Sequence, residues 1–125
     1  MAVSNFNRQQ YFKAGADLRK GHGLFVKLAA DGTAVLTTAA TDPVLGAVIT
    51  PIDKGLELGV CIERGVRVPA RVAGAIAIGD KVALTTGGKV MKAAPGTAYI
   101  GVCDEASNAA DDIITIVFFG LTPGA

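Results

Sequence analysis

The sequence predicts an all-β fold made of two related halves, a sandwich or small barrel. Three observations predict it. Short Val/Ile/Leu runs are broken by turn residues every 8–12 positions from residue 16 onward, the spacing of strands in such folds. Sixteen of the 125 residues are glycine, nearly twice the usual ~7%, and many fall between those runs, where a turn needs positive φ. The chain also repeats itself at a spacing of 55 or 56 residues, as a duplicated supersecondary unit would.

Residues 1–14 (MAVSNFNRQQYFKA) differ from the rest and read as an extended N-terminal arm, with 15–125 as a single β domain. The arm is rich in Asn, Gln and Arg, yet it holds Phe6, Tyr11 and Phe12 of the chain's five Phe and two Tyr. Aromatics and Arg are favoured anchors at interfaces, so Phe6, Arg8, Tyr11 and Phe12 are the candidate contacts with a partner. A frayed terminus is the alternative.

Strands are expected at 16–20, 24–28, 33–38, 44–50, 58–63, 66–73, 81–86, 89–92, 98–104 and 112–119. The clearest is Ile113 to Phe119. VALTTGGKVMK reads as a hairpin turning at Gly87-Gly88, and FVKLAADGTAVL as another turning at Asp31-Gly32. Pro69 lacks an N–H, so its strand belongs at an edge or bulge. Residues 105–111 read as a loop. The best helical segment, 70–78 (ARVAGAIAI), is weakened by Gly74 and its β-branched residues. In the repeat, Val26 to Leu28, the Asp31-Gly32 turn, Val35-Leu36 and Val44 to Val48 answer to Val82 to Leu84, Gly87-Gly88, Val90-Met91 and Tyr99 to Cys103. The reading puts a one-residue slip at the hairpin turn.

Half of the residues are hydrophobic and 18% are charged, which argues against a disordered chain. The net charge is +1, without the Lys/Arg clusters that replace counterions on phosphates, so no direct nucleic-acid partner is expected. No apolar run approaches the ~20 residues of a membrane helix, so no membrane partner is expected. The polar start of the chain does not read as a signal peptide.

The chemistry-bearing residues are few. The single histidine, His22, lies between glycines and reads as an exposed turn residue. Cys61 and Cys103 sit in apolar Gly-Val-Cys runs. They read as inert core thiols, with a disulfide or a cross-link between subunits as the alternative. Asp104-Glu105 and Asp111-Asp112 bracket one loop but lack the regular ligand spacing of a calcium site. No phosphate loop, metal-binding His pair or GxSxG elbow is present. No catalytic residue, metal or cofactor is expected.

The order of the pieces carries a resemblance. VLGAVI, CIERGVRVPARV, the Ala-rich segment ending AIAIGDKV, the GGKV turn, IGVCDEA and the closing IITIVFF follow one another over roughly residues 15–119. This arrangement resembles the capsid decoration, or cement, proteins of tailed bacteriophages. The resemblance implies a small β-barrel or β-tulip-like domain, a homotrimer, bound to the outer surface of the capsid. There it would bridge subunits of the major capsid protein, its partner, after synthesis in the host cytoplasm. The polar N-terminal segment departs from the pattern.

Two other readings are separable from this one. A small-molecule or carbohydrate-binding β-barrel module would show a concave site with convergent polar groups. An enzyme would need a reactive thiol at Cys61 or Cys103 beside His22.

Overall fold

A computed structural model describes residues 9–124. Among these residues ten strands form two five-stranded sheets, and the helical element described is a short 3-10 turn at Thr86–Gly88. The first sheet holds β1 (Gln9–Lys13), β2 (Phe25–Leu28), β3 (Ala34–Leu36), β4 (Gly46–Thr50) and β5 (Glu57–Cys61). The second holds β6 (Val66–Arg71), β7 (Lys81–Leu84), β8 (Val90–Lys92), β9 (Tyr99–Cys103) and β10 (Ile113–Thr122). The strand orders are β1-β5-β4-β2-β3 and β6-β10-β9-β7-β8. Adding five to each label of the first gives the second, so the two halves share one topology.

The shared topology extends to individual bonds. Ala29 N–H donates to Thr33 O across the first hairpin, and Thr85 N–H donates to Lys89 O across the second, both at 2.8 Å. Gly32 and Gly88 take positive φ at equivalent turn positions, 83° and 76°. Each sheet also curls until its ends touch at one parallel bridge, Ala14 to Ala34 and Val72 to Val90. The rest of each seam stays open, so neither sheet closes into a barrel, and the all-β expectation is met by two curled sheets.

Registers correct the position of the slip. Leu28 faces Ala34 and Leu84 faces Val90, so the hairpins align at a constant spacing of 56. The lost residue lies between β3 and β4, because Gly46 answers to Gly101 at a spacing of 55. The longer loop of the first half is held by Asp42, whose carboxylate accepts from Thr38 N–H at 2.6 Å and Ala39 N–H at 3.1 Å.

Two strand expectations change. Residues 16–20 form a loop rather than a strand. The Asp17–Arg19 pair turns the chain there, and only Leu18 points inward, its N–H bound to Ile52 O at 3.0 Å. Gln9–Lys13, read as part of an arm, form β1 against β5. Pro69 lies in β6, an end strand, as its missing N–H requires. The Ala-rich 70–78 segment is not helical: it finishes β6 and then turns.

Each half has a core of seven equivalent positions. Ala14, Leu18, Val26, Ala34, Val48, Leu58 and Val60 are buried in the first. Val72, Ile76, Val82, Val90, Cys103, Ile114 and Ile116 take those places in the second. The second core continues into the first half, where it takes in Phe25, Val44, Ala47 and Cys61. The outer face of the first sheet thus covers the open mouth of the second curl.

Candidate interaction surfaces

The joint between the halves combines aromatic, cationic and main-chain contacts. Phe25 and Phe118 are fully buried and meet with ring centroids 5.5 Å apart. The Arg64 guanidinium lies 4.5 Å from the Phe118 centroid, a cation–π contact, and its Nη1 donates to Ile62 O at 2.6 Å. Arg71 N–H donates to Gly23 O at 2.8 Å, which ties the edge of β6 to the first half, and Arg71 Nη2 donates to His22 O at 3.0 Å. His22 is half-buried at this joint rather than exposed, its Nδ1 3.1 Å from Ile49 O.

The sequence candidates divide. Phe6 and Arg8 lie outside the described residues. Tyr11 and Phe12 point to opposite faces of β1: Tyr11 is 58% exposed, and Phe12 packs half-buried against the first core. Tyr11 OH accepts from Gln9 Nε2 at 3.2 Å. Cys61 and Cys103 are both buried, on β5 and β9, and neither is in a disulfide. They are not equivalent despite their shared Gly-Val-Cys setting, for Cys103 answers to Val48 and Cys61 to Val117. Burial pushes the Cys103 thiol up, against the thiolate that nucleophilic or redox chemistry needs. A cross-link through either thiol would require its strand to open.

The acidic loop is spent on protein contacts. Asp104 pairs with Arg67 at 2.8 Å and Asp111 with Lys89 at 2.5 Å. Asp112 accepts from Ser107 Oγ at 2.6 Å, and Glu105 accepts from Thr115 N–H at 2.7 Å. Among the described residues no group of His, Cys, Asp and Glu side chains is arranged to hold a metal ion, and no helix is long and apolar enough to cross a membrane. A groove of about 390 Å³ runs where β6 and β10 meet the first half, between His22, Ile49, Pro69 and Ile113.

Sequence reasoning missed several exposed apolar residues, including Leu28 at 46%, Ile78 at 70% and Met91 at 50%. One signal was available for the faces beside them. Laying the halves over each other sets Lys81 against Phe25 and Ile62 against Phe118, and such mismatches mark where a face changes its neighbour.

These features define an all-β module of two related sheets packed through a shared core. The phage cement protein family matches residues 13–118, and the chain belongs to that family; it is a structural protein of the phage capsid. Among solved structures it is similar to the N base of the head fiber gp8.5 of bacteriophage phi29. That match has a TM-score of 0.65 at 16% identity and covers 88% of this chain and 92% of the other, so it speaks for a shared fold. No curated protein matches.

Proposed function

We propose that the protein is a homotrimeric cement that binds the outer surface of the capsid and stabilises it by bridging subunits of the major capsid protein. The family match over residues 13–118 carries this reading. The physics suits it. Two interlocked β cores form a stiff unit, and many copies on a lattice make modest single contacts effective through avidity. Its place is the virion, and its role is mechanical rather than catalytic, in keeping with buried thiols and carboxylates engaged by protein groups. The ligand-binding alternative gains no support from the groove at the joint, which is lined chiefly by apolar side chains.

Adding purified protein to expanded capsids that lack it tests the proposal. Saturable binding, with capsids that survive higher temperature or lower ionic strength, is the expected result. Absence of binding to expanded capsids at any concentration would overturn it.

A further inference from the structure

The repeat makes a comparison that a single unit could not. In the second half the mouth of the curled sheet is sealed: Ala70, Leu84, Ile100 and Phe118 are 0–3% exposed. What seals it is the outer face of the first half, with Phe25, Val44, Ala47 and Cys61. The equivalent mouth of the first half holds Phe12, Leu28, Leu45 and Ile62. Among the described residues nothing seals it: Leu28 is 46% exposed, and the other three are only partly buried. The equivalent outer face of the second half holds Lys81, Tyr99, Val102 and Val117, all exposed or partly so. One molecule therefore carries one made joint and both unmade sides of a second.

We infer that the two unmade sides belong together across a boundary between copies. The outer face of the second half of one copy seals the mouth of the first half of the next, head to tail. Three further observations fit. Ile78, the most exposed large apolar residue described at 70%, occupies the place of His22, which is half-buried at the made joint. Tyr11, at 58%, occupies the place of Pro69, beside His22 in the groove. The main chain offers a matching bond, since Lys13 and Gly79 stand where Arg71 N–H donates to Gly23 O at the made joint. The partner of Tyr11 and Phe12 is then a second copy of this chain. Lys81 in place of Phe25 makes the joint between copies less apolar than the internal one, as suits an interface that forms after each chain has folded.

A joint between two different faces closes into a ring or runs on as a filament. The closed ring rests on the trimer proposed above; the joint itself rests on the repeat. Lys81 and Ile62 take the places of Phe25 and Phe118, so a Lys81→Cys, Ile62→Cys double variant is expected to cross-link between copies under mild oxidation. Each single variant should not. Ile78→Asp and Leu28→Glu alter exposed side chains on opposite sides of the joint. Each alone should yield folded monomers, judged by unchanged circular dichroism and a single cooperative unfolding transition, with a midpoint that no longer depends on protein concentration. Mixed, they should form a heterodimer, because one wild-type joint survives, whereas a face-to-face interface would not be restored. A trimer that persists in both variants and gives no cross-link would overturn the joint and leave the trimer standing. A wild-type monomer at every concentration, without cross-links, would overturn both. An Ile62→Cys thiol that is protected from labelling in a monomer until residues 1–8 are removed would overturn the joint, because the chain's own terminus would then fill the mouth.

Discussion

The two halves have the same strand order, a glycine at the equivalent hairpin positions 32 and 88, and seven matched core positions, yet their outer faces have diverged. Where the first half has Phe25, Ala47 and Cys61, all buried, the second has Lys81, Val102 and Val117, exposed or half-buried. Interior positions keep their chemistry because each curl must be filled, and a void or overfilling costs stability. Outer positions follow whatever lies against them. Between related halves, then, likeness reports the fold and unlikeness reports the neighbours.

The largest expected effect tests this asymmetry. Phe118→Ala removes a ring buried at the joint and should cost about 3–5 kcal/mol. Ile62→Ala, at the equivalent place, should cost less than about half of that, because Ile62 is only partly buried. Urea unfolding midpoints compare the two; equal losses would show that the mouths are equally sealed.

A second pair tests the sameness of the interiors. A Cβ on Gly46 would lie 2.0 Å from Cys61 O, and one on Gly101 would lie 2.2 Å from Val117 O. Either Gly→Ala change forces neighbouring strands apart and should cost about 3 kcal/mol. If the halves unfold as one unit, both variants will show one transition with a similar shift. Two separated transitions in either would make the halves independent.

Arg64→Ala removes the contact over Phe118 and the bond to Ile62 O. The expected loss is about 1 kcal/mol, read from the same midpoint. No change would mean that apolar packing alone holds the joint.

Acid should distinguish the halves most gently. Asp42 is held at about 2, chiefly by the Thr38 N–H and also by Lys27. Asp17 is held at about 2 by Arg19, and Asp31 is lowered by Thr33. All three lie in the first half; in the second, Asp111 is lowered by Lys89. A depressed carboxylate stabilises the folded state above the ordinary carboxylate range and loses that contribution as pH falls through its folded value. Stability should therefore decline from about pH 4 toward 2, and Asp42→Asn should flatten the decline. A decline unchanged in Asp42→Asn would assign it to other groups.

Much of this fold was legible because it is local. The hairpins at Asp31-Gly32 and Gly87-Gly88 and the closing strand carry their signals within a dozen residues. The spacing of the repeat was visible, though its slip was misplaced, since Val35 and Val90 look alike while the registers, Leu28 with Ala34 and Leu84 with Val90, make Ala34 the equivalent of Val90. Strand β1 was read as an arm because QQYFK is polar, as an end strand with one half-buried aromatic can be. Sequence also misread His22, whose burial comes from β6, far along the chain. The joint is non-local on both sides, so neither Phe25 nor Phe118 announces it.

All five strands of the first sheet lie within Gln9–Cys61, so during synthesis that sheet can close before the second exists. Its outer face cannot be finished then. Phe25 waits for Phe118, which emerges 57 residues after Cys61. At ~5–20 residues per second this leaves an apolar patch open to water for roughly 3–11 s. The ribosome-bound chain is thus a different molecule from the released one. For those seconds its first half shows the face that, in the mature protein, only its own second half ever touches.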